Sequence, residues 1–120
     1  MTRRFPQRRA DGSFDMLIEI GMPPSFSLPE LETWLARWTE ARGVWERRWE
    51  SAGKTELEVL RYADDFAAPP TLEPHDGGAV IRCRVRPDAK SWRDWGARLY
   101  EDLQRDYEGA ELVGVRSTAD

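Results

Sequence analysis

Two short stretches of strict alternation, each followed by a three-to-four-residue apolar repeat, constrain this chain more than any other feature. In Phe14-Asp-Met-Leu-Ile-Glu-Ile20, the side chains of Phe14, Met16, Ile18 and Ile20 fall on one side of an extended backbone, and Asp15, Leu17 and Glu19 on the other. Ala79-Val-Ile-Arg-Cys-Arg-Val85 repeats the pattern, with Ala79, Ile81, Cys83 and Val85 on one face. A strand with one apolar face needs a second layer to cover it, and a helical pattern follows each strand.

After Gly21-Met-Pro-Pro24, Ser27 supplies a helix cap, with Pro29 and Glu30 in the first turn. Leu28, Leu31, Trp34, Leu35, Trp38, Ala41, Trp45, Trp49 and Ala52 then recur at helical spacing, which predicts one helix from near Leu28 to Ala52, stopped by Gly53, with Gly43 on its polar side. Thr55–Tyr62 alternates again. Residues 63–78, rich in Pro and Asp, read as a long loop. Pro87 and Asp88 open a second helix whose stripe is Trp92, Trp95, Gly96, Leu99, Leu103 and Tyr107, ended by Gly109, and Glu111–Arg116 is the last strand.

The order β-α-β-β-α-β predicts an α+β, ferredoxin-like sandwich: a four-stranded antiparallel sheet in the order 4-1-3-2, with two helices on one face. The expected organisation is a basic, flexible N-terminal arm over 1–12, a single ferredoxin-like domain over 13–117, and a C-terminal tail over 118–120. The expected core contains Ile18, Ile20, Leu31, Leu35, Trp38, Val59, Ile81, Cys83, Leu99 and Leu103.

Composition narrows the function. The chain has 120 residues, enough for one two-layer core, and 40% are hydrophobic against 33% charged. With one cysteine and one histidine, a disulfide framework and multi-ligand zinc sites are excluded. No apolar run has the roughly 18 residues of a membrane span, and the first residues lack the apolar stretch of a secretory signal; the expectation is a cytoplasmic protein with no membrane contact. Residues 1–10 hold four arginines and no acid, so the remainder carries 14 basic against 22 acidic side chains. An acidic body repels a phosphate backbone, which leaves Arg3, Arg4, Arg8 and Arg9 around Phe5 and Pro6 as the only route to nucleic acid.

In the predicted strand order Arg82 and Arg84 face Asp15 and Glu19 on one side and Glu56 and Glu58 on the other, a self-neutralising lattice rather than a phosphate site. The outward residues of the central strands lack the aromatic rings that stack RNA bases. Six tryptophans on helical stripes read mainly as core, with Trp34 and Trp45 partly exposed as anchors. Leu60 and Tyr62 are expected to point outward at an edge strand. The long loop contributes Asp64, Asp65, Glu73, His75 and Asp76, too irregular a setting to fix a metal. Cys83 reads as a buried small hydrophobe. No nucleophile setting and no Gly-rich phosphate loop is present, so neither catalysis nor a cofactor has sequence support.

These residues point to a small non-catalytic protein-binding module, a regulator or a toxin-neutralising immunity-type protein, that meets a basic protein partner through an acidic surface and aromatic anchors. Its expected contact residues are Trp34, Trp45, Leu60, Tyr62, Asp64, Asp65, His75 and Asp76. A homodimer through the strand 55–62 edge is also expected. The alternative is a small enzyme or ligand sensor with a Trp-lined pocket between sheet and helices.

Overall fold

A computed structural model describes residues 7–119. β1 (Phe14–Gly21) is the most deeply buried strand and the one around which the rest is organised. It pairs antiparallel with β5 (Gly78–Val85) on one side, Ile18 opposite Ile81 and Met16 opposite Cys83. On the other side it pairs antiparallel with β6 (Glu111–Thr118), Ile18 opposite Val115. β4 (Thr71–His75) completes the sheet beyond β5, giving the order β4-β5-β1-β6.

α1 (Leu28–Arg42) and α3 (Trp92–Asp106) cover one face of this sheet. Leu31, Leu35 and Trp38 from α1 and Trp95, Leu99 and Leu103 from α3 share one core with Ile18, Ile20, Ile81 and Cys83. Phe14, Met16, Phe66 and Val85 extend it. The molecule is thus a mixed α+β fold with a four-stranded antiparallel sheet and three helices, the third being the single turn α2 (Tyr62–Asp65).

The long first helix of the sequence analysis divides. α1 stops at Arg42, and Val44–Ser51 is a strand, β2, that pairs with β3 (Lys54–Arg61) as a separate two-stranded hairpin. The misreading has a geometric cause. Trp45 and Trp49 are four residues apart, and a spacing of four keeps side chains on one face of a helix and equally on one face of a strand. At Gly43 an added Cβ would lie 2.4 Å from the carbonyl oxygen of Thr39, so the chain uses glycine to leave the helix tightly. The hairpin reverses at Ala52-Gly53, both at positive φ (51° and 78°), the signature of the two-residue turn whose twist matches its strands.

The expected edge strand over 55–62 is therefore in the hairpin and not in the sheet, and its place beside β5 is taken by β4, from the segment expected to be a loop. Pro74 in β4 is compatible with an edge, where no ladder partner needs its missing N–H. It is also the residue that hides the strand from sequence reasoning.

Two further corrections follow. Val59, expected in the core, is exposed on the hairpin, while the other nine expected core residues are buried. Glu56 and Glu58 do not flank Arg82 and Arg84: Glu58 binds Arg47 within the hairpin at 2.7 Å, and Arg82 is held by Glu73 of β4 at 3.1 Å and by Asp15 at 2.6 Å.

The expected arm is also partly anchored. Arg8 donates to the carbonyl oxygens of Gly12 and Pro87 and lies over the Phe14 ring, and Arg9 binds Asp15 at 3.0 Å. Arg3, Arg4, Phe5 and Pro6 lie outside the described residues. At the other end β6 includes Thr118, one residue past the expected domain limit.

Candidate protein-binding surfaces

The residues expected to form a contact surface separate into four places. Trp45, Leu60 and Tyr62 sit at the root of the hairpin and point into the body. Leu60 and Tyr62 are buried, contrary to the outward orientation expected of them, because β3 leaves the hairpin directly into α2 against Trp38 and Phe66. The Trp45 ring meets Trp95 edge-on at 5.8 Å and carries the Arg98 guanidinium at 4.7 Å. These three residues hold the hairpin on the domain.

Asp65 is buried and accepts the backbone N–H groups of Lys90 and Ser91 just ahead of α3, whose own cap residue Ser91 makes no side-chain cap bond. Burial raises its pKa, opposed by those backbone bonds. Asp64 is exposed on α2, and His75 and Asp76 are exposed at the β4–β5 turn. Trp34 lies half-buried on α1, its indole N–H donating to Asp106 at 2.7 Å and its ring stacked on Trp38.

Between α1, α3 and the centre of the sheet the space is filled by the core. Trp38 is fixed there by a 2.8 Å hydrogen bond to the Asp102 carboxylate, and Trp95 packs edge-on against Trp38 and Tyr62. Cys83 is buried beneath them, its pKa pushed up to about 12 by burial, which keeps the thiol protonated and unreactive at neutral pH. Among the described residues no three His, Cys, Asp or Glu side chains gather to hold a metal.

On the opposite face of the sheet Asp15 is only 1% exposed and is ringed by Arg9, Arg82 and Arg84. Burial would raise its pKa, but the hydrogen bonds from Arg9 and Arg82 outweigh it and hold the carboxyl below its usual range. Asp15 and Glu73 together offset two of the three positive charges, and the shared carboxylate makes this cluster a structural joint between the 7–12 segment, β1 and β5.

Exposed apolar surface occurs in two other regions. The first is the hairpin, where Leu57 is 53% exposed and Trp49 and Val59 44% beyond its root, and Val44 at the root is 53% exposed. Arg47 ties the hairpin to the body through Asp94 of α3 at 2.8 Å, and past that point both hairpin faces are open.

The second region is β6, where Leu112, Val113 and Val115 are exposed, Val113 at 66%. Between β6 and α3 runs a groove of about 670 Å³ with Met16 and Gly96 at its floor and Trp92, Tyr100, Leu112 and Val115 on its walls. Gly96 lets α3 approach the sheet closely: a Cβ there would lie 3.1 Å from the Met16 sulfur.

The strand 55–62 was expected as a dimer edge, but the exposed apolar residues Val44, Trp49, Leu57 and Val59 and the β6 surface were not among the expected contact residues. The hairpin had a readable signal, two alternating runs around Ala52-Gly53, which the tryptophan spacing overrode. Compared with known proteins, the chain matches no family model, and no curated protein or solved structure matches it.

Proposed function

We propose that this protein is a non-catalytic protein-binding module whose recognition arm is the β2–β3 hairpin. The observation that carries the reading is the placement of Trp49, Leu57, Val59 and Val44 on a two-stranded element that stands off the domain without a core of its own. Isolated two-stranded sheets are marginal in water, and this one is anchored only at its root, so its exposed apolar residues contribute little to folding. Val44, Leu57 and Val59 share one face of the hairpin and Trp49 lies on the other, so a partner that clasped the arm would bury three aliphatic side chains on one side and an indole on the other.

Charge on the arm is balanced, with Arg47, Arg48, Lys54 and Arg61 against Glu46, Glu50, Glu56 and Glu58. The chain as a whole is at −4, which favours encounter with a basic protein. A regulator or a toxin-neutralising protein has these requirements, since both act by occupying a partner rather than by chemistry.

The framework behind the arm is, in this reading, a ferredoxin-like β-α-β-β-α-β unit with residues 44–61 inserted after its first helix. What supports it is that β6-β1-β5-β4 reproduces the order 4-1-3-2 once the hairpin is set aside. A second reading, a ligand sensor, is favoured by the α3–β6 groove, which is large enough for a small apolar molecule.

The test is site-specific photo-crosslinking in the native host from position 57, with position 108 on the exposed α3–β6 connection as control. A stoichiometric protein adduct at 57 that is absent at 108, and lost in a Leu57→Lys/Val59→Lys variant that still folds, is the expected result. Equal labelling at both positions, or an adduct indifferent to the double substitution, would overturn the proposal.

A further inference from the structure

The two edges of the sheet differ in a way that points to a second interface. β4 is blunted by Pro74 and by the charge of Glu73, with Pro69 and Pro70 just ahead of it. β6 carries no proline, a single acid and a single arginine over its eight residues, and three exposed aliphatic side chains.

The phase of β6 is set by a bulge. Opposite β1, Glu111 meets Gly21 and Leu112 meets Ile20, the register then shifts at Val113, and Gly114 meets Glu19, Val115 meets Ile18 and Arg116 meets Leu17. Leu112 and Val115 therefore both lie on the helix side, lining the groove, while Glu111 and Arg116 both lie on the opposite face, where Arg116 binds Glu19 at 2.9 Å. Without the extra residue, positions 111 and 116 would fall on opposite faces, because side chains alternate along a strand.

With the bulge, β6 is complementary to itself. Placing a second β6 antiparallel, with the two-fold axis between positions 113 and 114, sets Glu111 opposite the partner's Arg116 at both ends. The same placement sets Leu112 opposite the partner's Val115 on the groove side, and every pair matches in face.

We propose that two copies of this chain associate through β6, joining their sheets into one continuous eight-stranded sheet and closing the two α3–β6 grooves against each other. The occupant of the edge is a second copy because the complementarity is internal to the strand: opposite charges at its two ends and aliphatic residues between them fit a two-fold partner, whose own sequence supplies the matching order. This inference is independent of the hairpin reading and uses a different surface. A monomer that still captures a hairpin partner would sink only the dimer, and a dimer with no hairpin partner would sink only the recognition arm.

The experiment is sedimentation of the full chain up to high micromolar concentration, with circular dichroism to verify folding of every variant. The wild type is expected to reach twice the 13.9 kDa monomer mass. Glu111→Arg and Arg116→Glu, each placing like charges at both ends of the paired strands, are expected to weaken association roughly 30-fold. The double variant Glu111→Arg/Arg116→Glu restores the opposition and should associate like the wild type, and an equimolar mixture of the two single variants should form a heterodimer. A monomeric wild type, single variants that dimerise as the wild type does, or a double variant no better than either single would each overturn the proposal. Dimerisation lost instead on Leu57→Lys/Val59→Lys would place the interface on the hairpin and equally overturn it.

Discussion

The central strands of the sheet and the hairpin are built from the same material, antiparallel strands of eight residues, and they end in opposite states. β1 is buried along almost its whole length, charged Asp15 included, because it has a strand on each side, two helices on one face and arginine side chains over the other. β2 and β3 have only each other, and beyond Trp45 and Leu60 their apolar residues meet solvent. Alternation therefore specifies a strand but not its burial, which depends on how many layers reach it. Where no layer does, an apolar side chain contributes little to folding, and that is the physical ground for reading the hairpin as an arm.

The contrast can be broken most severely at the point where the two regions meet. Trp95 is fully buried and touches Trp38, Tyr62 and Trp45, so it belongs to the core and to the hairpin's anchorage together. Trp95→Ala is expected to cost about 3–5 kcal/mol in urea unfolding, enough to unfold much of a small domain at room temperature. Trp49→Ala, on the same face of the hairpin further out, should stay within about 0.5 kcal/mol.

Asp15 sharpens the comparison from the electrostatic side. Asp15→Ala leaves Arg9, Arg82 and Arg84 without their shared carboxylate. The expected cost is about 2 kcal/mol, reduced from that of a fully buried pair because the arginines themselves reach solvent. The same residue gives the protein an acid limit. Its folded-state pKa is lowered, so its contribution is complete above the unfolded value of about 3.9 and disappears as pH falls through the lower folded value. Wild-type stability measured across that window should fall more steeply than that of Asp15→Ala.

The smallest effect is at the hairpin turn. Ala52 stands at φ 51°, a left-handed conformation that costs a residue with a Cβ and costs glycine nothing. Ala52→Gly should stabilise the hairpin locally by about 0.5 kcal/mol, read as slower amide exchange at Trp49 and Glu56, with no change in the melting of the sheet.

These regions also differ in how much of them the sequence discloses. β1, β5 and α3 are legible because each follows one period from end to end, whereas β6 is marked by its aliphatic run although a bulge at Val113 breaks its alternation. The end of α1 is not, because Trp38, Ala41, Trp45 and Trp49 satisfy a helical spacing while the backbone changes state at Gly43 between them. β4 is obscured by Pro74, which marks an interior strand as impossible but is harmless at an edge. The candidate surface was the least legible part. Leu57 and Val59 alternate as core residues do, and only the absence of a covering layer, a property of the tertiary arrangement, leaves them outside. Asp65 reads as a charged loop residue in the sequence, although its carboxyl is buried against the backbone of Lys90 and Ser91, some twenty-five residues later in the chain.

The division of the molecule into a buried sheet and an arm held only at its root is tested most directly by native-state hydrogen exchange resolved along the chain. Amides of β1 and β5 should exchange only through global unfolding. Those of β2 and β3 between Arg48 and Leu57 should exchange through local opening, faster by at least about two orders of magnitude, with protection recovering towards Trp45 and Leu60. Protection in the outer hairpin equal to that of β1, in the protein alone at low concentration, would mean that the arm is part of the core's cooperative unit and would contradict the account.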